Sequence, residues 1–395
     1  MTVHYELPTP ADFAALAGPH YPAITIYAAT SPVVNERERA EVAVKSAFDD
    51  AFEQLKSSAA SGPEIDAIRR TRDEILGDLQ LWGNLTRSLA IFVAPGFSEV
   101  FVLPNQLDDA VHVGSHFTLG QLLRAPSQDQ EAYAVAVSAN EWTLWHATPT
   151  DRAVQMPTDP SLPNNVDEVA NRERGDVVGN RRVGGHGDRG MSEEDRRPAA
   201  HDIYAKRVAD AVRQVLLTHD PEERVPLFVF AAEPMLSQFI DRAHNGRRVA
   251  PVSGAPDRLG PAEIDEAIRR ELARLNISEA ESALRGLIEG SAGRLERDLA
   301  AIARLAADGA VDTLWFDFTT SVNGTLDRES GAVEFATENG SGESLHDGTH
   351  AGDLLPQLAL LVMSKGGKVV TVRSDDLDGG VWSGPAMAEL RFALA

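Results

Sequence analysis

AYAVAVSANEWTLWHA, residues 132–147, is the stretch that decides the fold of the middle of the chain. It consists of two runs in which apolar side chains alternate, joined at residues 139–141, and this pattern predicts a β-hairpin. A helix with one apolar face follows, and then the apolar strand PLFVFAA at 226–232. The apolar face of that helix consists of Tyr204, Val208, Val212 and Val215. This alternation predicts a mixed sheet with helices packed on it.

Residues 157–198, between the hairpin and that helix, show no periodicity. So long an aperiodic stretch inside a compact domain is usually a functional loop or a disordered one. At its centre lies RVGGHGDRG, residues 182–190, which combines glycines with arginines and a histidine. Residues 171–207 carry nine basic and seven acidic side chains, so the acidic excess of the chain reverses here.

Two interpretations of this loop stay open. In one, adjacent glycines expose backbone N–H groups, and Arg181, Arg182 and Arg189 add positive charge. The N–H groups and the arginines together would bind an anion. In the other, the segment is a solvated, flexible linker. It is not a P-loop, because it lacks the strand-to-helix setting and the Gly-Lys-Ser/Thr ending.

The flanking regions predict further α/β elements. On the N-terminal side they are a strand at 23–29, a helix over Val44 to Leu55, a helix starting at Ser61, and strands at 88–94 and 99–103. On the C-terminal side they are a helix from Pro261, a helix at 295–305, a strand at 313–318, a helix at 354–364, and strands at 368–373 and near the end. Glycines at 286, 290 and 293 should break or bend the continuation of the helix from Pro261. The fold class is therefore α/β, with three successive α/β domains at 1–127, 128–275 and 276–395.

Composition excludes several classes of protein. The chain has 395 residues, a formal net charge of −23 and no cysteine, which rules out disulfides, thiolate zinc sites and cysteine nucleophiles. No apolar run is long enough to span a membrane, and the first residues lack a signal-peptide pattern, so we expect a cytoplasmic protein without a membrane partner. The acidic charge repels polyphosphates, so we expect no DNA partner, and RNA binding only through a local basic surface.

Some other residues are weaker candidates for chemistry. His346 and His350 in HDGTH, and His112 and His116 in VHVGSHF, have a spacing that could present two imidazoles to a metal, but neither pair belongs to an HExxH motif. Decoration of a helix N-terminus is the better interpretation of the first pair. The chain has no Gly-x-Ser-x-Gly elbow and no dinucleotide fingerprint. Trp142 and Trp145 point to opposite faces of their strand, so at least one should be core, and base stacking is a minor alternative.

The order of these parts carries a resemblance. AYAVAVSANEWTLWHA, the Gly/Arg/His loop, HDIYAKRVADAV and FVFAAEPML together resemble the middle domain of the archaeal and eukaryotic class-I release factor and Pelota superfamily. YPAITIYAATSPV, GAVDTLWFD and GPAMAELRFAL are similar to its bacterial release-factor-like branch. The resemblance covers nearly the whole chain through short motifs. It implies a release-factor/Pelota-like arrangement whose C-terminal domain is L7Ae-like.

The resemblance also gives the loop a role. It places RVGGHGDRG where true release factors carry Gly-Gly-Gln, yet Gly184 and Gly185 are followed here by His186. The other register falls on Arg197-Pro198-Ala199, and no glutamine occurs from 156 to 213. Peptidyl-tRNA hydrolysis needs a water positioned by this loop, so we expect no such activity. The stop-codon motifs are missing too.

The resemblance then implies a ribosome-bound protein that occupies the A site under stress, with a hibernation or rescue role. The residues it implies for rRNA binding are Arg181, Arg182, Gly184, Gly185, His186 and Arg189. The resemblance implies a translational GTPase as a further partner, and it implies no cofactor or metal. Two alternatives remain: a hydrolase that uses Asp317, His346 and His350, and an acidic scaffold without an RNA partner.

Overall fold

The computed structural model describes residues 1–56, 58, 60–149, 151–159, 162, 164–169, 193–243, 246–290, 292–336, 352–378 and 380–393. The chain divides into two compact units. Unit 1 consists of Met1–Gln130 together with Ala273–Ala395, and unit 2 is Glu131–Leu272. Each unit is built on mixed sheets covered by helices, which confirms the predicted α/β class.

The strands of the described residues are β1 Thr2–His4, β2 Ala23–Ala29, β3 Ser88–Ala94, β4 Phe97–Leu103, β5 Ala110–Gly114, β6 Ala132–Val137, β7 Trp142–Ala147, β8 Val154–Met156, β9 Leu227–Ala231, β10 Val249–Ser253, β11 Leu295–Glu296, β12 Val311–Asp317, β13 Asn323–Leu326, β14 Val333–Phe335, β15 Gly352–Asp353, β16 Lys368–Val372 and β17 Ala386–Leu390. The α-helices are α1 Pro10–Leu16, α2 Arg37–Lys56, α3 Gly62–Gly77, α4 Leu79–Gly83, α5 Arg124–Ser127, α6 Glu193–His219, α7 Met235–Ala243, α8 Pro261–Gly290, α9 Leu299–Ala307 and α10 Leu354–Ser364.

Unit 2 contains one five-stranded sheet in the order β10-β9-β6-β7-β8. The predicted hairpin is confirmed: β6 and β7 are antiparallel, with Val137 opposite Trp142, and the Ser138 N–H donates to the Glu141 carbonyl at 2.9 Å. β9 and β10 continue the sheet in parallel to β6. Every side chain of β6 is buried, as expected for a central strand that is covered on both faces.

A buried ion pair fixes the C-terminal end of α6 within unit 2. Arg247, whose side chain is only 5% exposed, donates to the Asp220 carboxylate at 2.6 Å and to the Val225 carbonyl at 2.6 Å. The Asp220 carboxylate also accepts the Val225 N–H at 2.9 Å. Burial would raise the pKa of Asp220, but these bonds outweigh it and lower the pKa below its usual value. The pair therefore holds the loop after α6 against β10.

Unit 1 contains three sheets, ordered β1-β4-β3-β2-β5, β11-β17-β12-β16 and β14-β13-β15. The first sheet has two apolar faces. One packs on α2 and α3, whose inward side chains include Val44, Phe48 and Ile68. The other contributes residues such as Phe92 and Phe101 to a different core.

That second core is shared between the two chain segments of unit 1. It joins Phe13, Phe92 and Phe101 from the first segment to residues such as Ile302 and Leu358 from the second. Residues of the predicted N-terminal and C-terminal domains therefore lie in one compact unit. The predicted boundaries of the three domains remain predictions.

Two helix boundaries differ from those that the sequence predicts. Gly286 does not break α8, which continues to Gly290, because the buried Leu284 and Leu287 extend its apolar face across the glycine. The helix predicted at 295–305 begins only at Leu299, where the Asp298 side chain caps it by accepting the Ala301 N–H at 2.7 Å. The two residues at 295–296 form β11 instead.

Gly331 lies in the turn between β13 and β14 and packs closely on α9. Its φ of +71° lies in the left-handed region, and a Cβ at this position would come within 2.4 Å of the Ala303 carbonyl oxygen. Glycine is therefore required here for two reasons, conformation and space.

Candidate functional site

The predicted RNA-binding residues Arg181, Arg182, Gly184, Gly185, His186 and Arg189 lie outside the described residues. The structure does describe both ends of the loop that carries them, at residues 164–169 and at the start of α6. The described part of the candidate site is therefore its two anchors.

The entry anchor is a short helical segment, residues 166–169. Val166 and Val169 are buried in the core of unit 2, and the Val166 N–H donates to the Ala139 carbonyl in the hairpin turn at 3.0 Å. The Glu168 N–H donates to the Asn165 side chain at 2.9 Å, which caps the segment. The chain thus enters the loop from a fixed position on the β6–β7 hairpin.

The exit anchor is α6, which presents the apolar face that the sequence predicts. Tyr204, Val208 and Val212 are all buried in the same core. The Tyr204 hydroxyl donates to the Asn164 carbonyl at 2.8 Å, so one hydrogen bond connects the exit helix directly to the entry anchor. Burial, and then the negative charges of Asp257 and Glu141, raise the pKa of Tyr204, so its hydroxyl remains a donor at neutral pH.

The two tryptophans of β7 are not available for stacking on bases. Trp142 and Trp145 are each only 6% exposed, and the Trp145 indole N–H donates to the Thr143 hydroxyl at 2.9 Å. The minor alternative of a base-stacking role is wrong, because packing on both faces of the sheet covers both rings.

Of the three groups that the hydrolase alternative requires, the structure describes Asp317. Asp317 is 2% exposed, and its carboxylate accepts the N–H and the hydroxyl of Thr319 at 2.8 and 2.6 Å. Burial would raise the pKa of Asp317, but bonds from Thr319 and Ser374 outweigh it and lower the pKa. These bonds fix the end of β12. His346 and His350 lie outside the described residues.

The pair His112 and His116 also lacks the surroundings of a metal site. Partial burial lowers the pKa of His112 on β5, and the His116 ring lies 3.0 Å from the Ser115 hydroxyl. Within the described part of the chain, no group of three or more His, Asp or Glu side chains could hold a metal ion. In the same part, no helix combines the length and the apolar character that crossing a membrane requires.

Sequence reasoning missed a cationic cluster within unit 1. The Arg124 guanidinium lies over the Phe318 ring at 4.3 Å and Arg373 lies near the same ring at 5.3 Å, while Arg373 also pairs with Asp108. Nε and Nη1 of Arg124 are buried and have no hydrogen-bond partner in the structure. Burial is the main cause that lowers the pKa of Arg124, to about 10. No sequence pattern could reveal this cluster, because its members are far apart along the chain.

Part of the chain is similar to a family of release-factor-like proteins. Residues 133–310 match the family model described as bacterial archaeo-eukaryotic release factor family 3. The matched segment is less than half of the chain, and it contains β6 from its second residue onward, both loop anchors and the loop sequence. The middle of the chain is therefore release-factor-like, as the resemblance in the sequence predicts. No curated protein matches the sequence.

Several solved structures of the same class are similar to the chain at low identity. An archaeal translation termination factor, aRF1, is 12% identical with a TM-score of 0.24, over 98% of this chain and 99% of that one. Archaeoglobus fulgidus Pelota is 14% identical with a TM-score of 0.31, over 77% and 79%. Dom34 of S. cerevisiae, described as interacting with Hbs1, is 10% identical with a TM-score of 0.32, over 77% and 73%.

Proposed function

We propose that this protein binds the ribosomal A site through the loop between residues 169 and 193 and blocks it in idle or stalled ribosomes, without hydrolysing peptidyl-tRNA. The observation that carries the proposal is the release-factor family match over a segment whose central loop has arginines and no glutamine. A hibernation or rescue role follows, since a factor without the hydrolytic group can occupy the site but not release the peptide.

The loop anchors support this proposal physically. Both ends of the loop are tied to one core, through Val169 on one side and Tyr204 on the other. A rigid base lets unit 2 present the loop at a defined place, and arginines are suited to the phosphate oxygens of rRNA. The net charge of −23 then discourages RNA contacts elsewhere on the surface.

A translational GTPase is part of the proposal as a second partner, on the strength of the superfamily resemblance alone. Ribosomes isolated with the tagged protein should also contain a translational GTPase. The amount of this GTPase should fall when GTP is removed. Equal recovery of ribosome complexes from extracts without any translational GTPase would remove this partner and leave A-site binding in place.

The direct test is co-sedimentation with 70S ribosomes from starved cells over a range of salt concentrations. Arg181→Ala, Arg182→Ala and Arg189→Ala together should weaken binding and flatten its salt dependence by about 0.7 to 0.9 logarithmic units for each lost phosphate contact. A matched control removes three exposed arginines outside the loop, Arg39, Arg70 and Arg328, with the same change in net charge. Equal affinity and salt slope for the two variants would overturn the proposal.

The absence of hydrolysis needs its own measurement. Ribosomes that carry labelled peptidyl-tRNA should retain the label when the protein is added at saturating concentration. Release faster than the spontaneous rate would overturn the non-hydrolytic part of the proposal.

A further inference from the structure

The edge strands of the described sheets are guarded against further pairing, with one exception. β1, β8 and β14 have three residues each, and β11 and β15 have two. β10 contains Pro251, which cannot donate to another strand, and β16 begins at the charged Lys368. Short length, proline and lysine are the usual means by which edge strands avoid adding a partner strand.

β5 is the exception. Its sequence, AVHVG, provides five residues without proline, lysine or a carboxylate. It pairs antiparallel with β2, from Ala110 opposite Tyr27 to Gly114 opposite Ala23. Over the residues that the structure describes, no strand pairs with its other side. β5 therefore offers an edge onto which an extended peptide can add.

A trough lies beside the start of this edge, lined by α2, the end of β2 and residues 109–111. Its lining includes small side chains, Ala43, Ser46 and Ala47 from α2 and Ala110 from the strand. Ala43 and Ser46 are exposed to solvent, and Ala47 and Ala110 are half-buried. Small side chains leave room for the residues of an added strand that point toward the helix.

The rim of the trough is acidic. Asp50 and Glu53 line it from α2, and Asp109 lines it from the residue before β5. Asp109 is held in place because its carboxylate accepts the Ala29 N–H at 2.6 Å. Glu53 forms an ion pair with Lys56 at 2.5 Å. Because this lysine is set against three carboxylates, the rim keeps an excess of negative charge.

We propose that β5 and this trough form a docking site for an extended, basic peptide segment of a partner protein, which adds as a sixth strand with its cationic side chains against Asp50, Glu53 and Asp109. The proposal does not depend on the loop or on the ribosomal role. A second copy of this chain fits less well, because pairing β5 with β5 would bring two acidic rims together.

The test uses a short fluorescent peptide in which valine and lysine alternate, added to the full chain at low salt. Its binding should raise the fluorescence anisotropy and slow hydrogen exchange at residues 110–114. The same peptide with alternate backbone amides N-methylated should bind at least about tenfold more weakly, because it cannot pair with the edge, and a valine–glutamate peptide should not bind.

Variants of the rim provide the second part of the test. Asp50→Asn with Glu53→Gln should weaken the valine–lysine peptide about tenfold or more. Glu38→Gln with Glu74→Gln makes the same charge change at exposed positions outside the trough and should have no such effect. All four side chains are exposed, so the thermal unfolding of each variant should match that of the parent chain.

Three results would overturn the proposal: no binding of the valine–lysine peptide, equal binding of its N-methylated form, or equal weakening by the two pairs of substitutions. Dimers of the chain whose contacts protect residues 110–114 would show instead that a second copy occupies the edge.

Discussion

Replacing Arg247 by methionine should destabilise unit 2 far more than any exposed ion pair could. The Arg247 side chain is 5% exposed and donates to the Asp220 carboxylate, the Val225 carbonyl and the Asp220 carbonyl at 2.6, 2.6 and 3.2 Å. Methionine keeps much of the volume but leaves the Asp220 carboxylate, 11% exposed, without its cation. Removing one partner of a buried pair costs about 3 to 5 kcal/mol.

Hydrogen exchange followed by mass spectrometry can assign this cost to unit 2. Peptides from Glu131–Leu272 should lose about 140-fold to 3,700-fold in protection, since each 1.4 kcal/mol corresponds to about a factor of ten. Peptides from unit 1 should change little. The matched control is Arg224→Met, because Arg224 is 80% exposed and pairs with Glu222 in solvent, where such pairs contribute at most about 1 kcal/mol.

A double variant separates the pair from simple loss of packing. Arg247→Met with Asp220→Asn leaves no unpaired charge, so it should recover a large part of the lost protection. The reasoning would be refuted if Arg247→Met lowered protection less than about tenfold, or no more than Arg224→Met does.

Three further predictions concern other parts of the fold. Gly331→Ala should lower the free energy of unfolding of unit 1 by about 1 to 3 kcal/mol, because the residue has a positive φ and no space for a Cβ. Gly286→Ala, in helix α8 with nothing near its Cβ, should raise that free energy by about 0.5 to 1 kcal/mol. Chemical denaturation measures both changes, and the opposite order would contradict the geometry. The folded-state pKa of Asp317 is lowered, so its contribution to stability is present above the unfolded pKa of about 3.9 and is lost as the pH falls through the folded pKa. Asp317→Asn should therefore lose less stability than the parent chain upon acidification, and parallel pH profiles would disprove this. Tyr204→Phe removes the donor of a part-buried hydrogen bond to the Asn164 carbonyl and should cost about 0.5 to 1.5 kcal/mol, measured as faster hydrogen exchange at residues 164–169. Unchanged exchange there would show that this bond does not hold the anchor.

Much of the fold could be predicted where the periodicity is clean. The strand at 23–29 and the helix at 354–364 have the predicted bounds, because alternation or helical spacing runs uninterrupted between breakers. Short strands were missed because three residues carry almost no pattern. β1 forms by pairing with β4, with His4 opposite Phe101. Local sequence does not encode a pairing between such distant positions.

The candidate site divides in the same way. The hairpin and the apolar face of α6 were predicted correctly. The predicted loop, 157–198, was too long, because the helical segment at 166–169 and the start of α6 at Glu193 lie inside it. Burial of both Trp142 and Trp145 could not be predicted. Alternation shows only that the two side chains face opposite sides of the sheet, and not what covers each side. The cluster around Phe318 depends on tertiary contacts alone. The RNA-binding residues of the loop remain a prediction from the resemblance.

The discontinuous composition of unit 1 has a consequence for the order in which the chain folds during its synthesis. Residues 131–272 can fold as soon as they are made, because the core of unit 2 draws on that one continuous segment. In the first 130 residues, one face of the first sheet can already pack on α2 and α3, but its other face must wait. Phe92 and Phe101 belong to a core whose other side, including Ile302 and Leu358, is translated only after unit 2. Domains that fold late expose apolar surface in the meantime. The nascent chain is therefore most prone to aggregate or to recruit a chaperone before residues 299–364 emerge, and substitutions in α9 or α10 should lower the yield of soluble protein more than equally buried substitutions in unit 2.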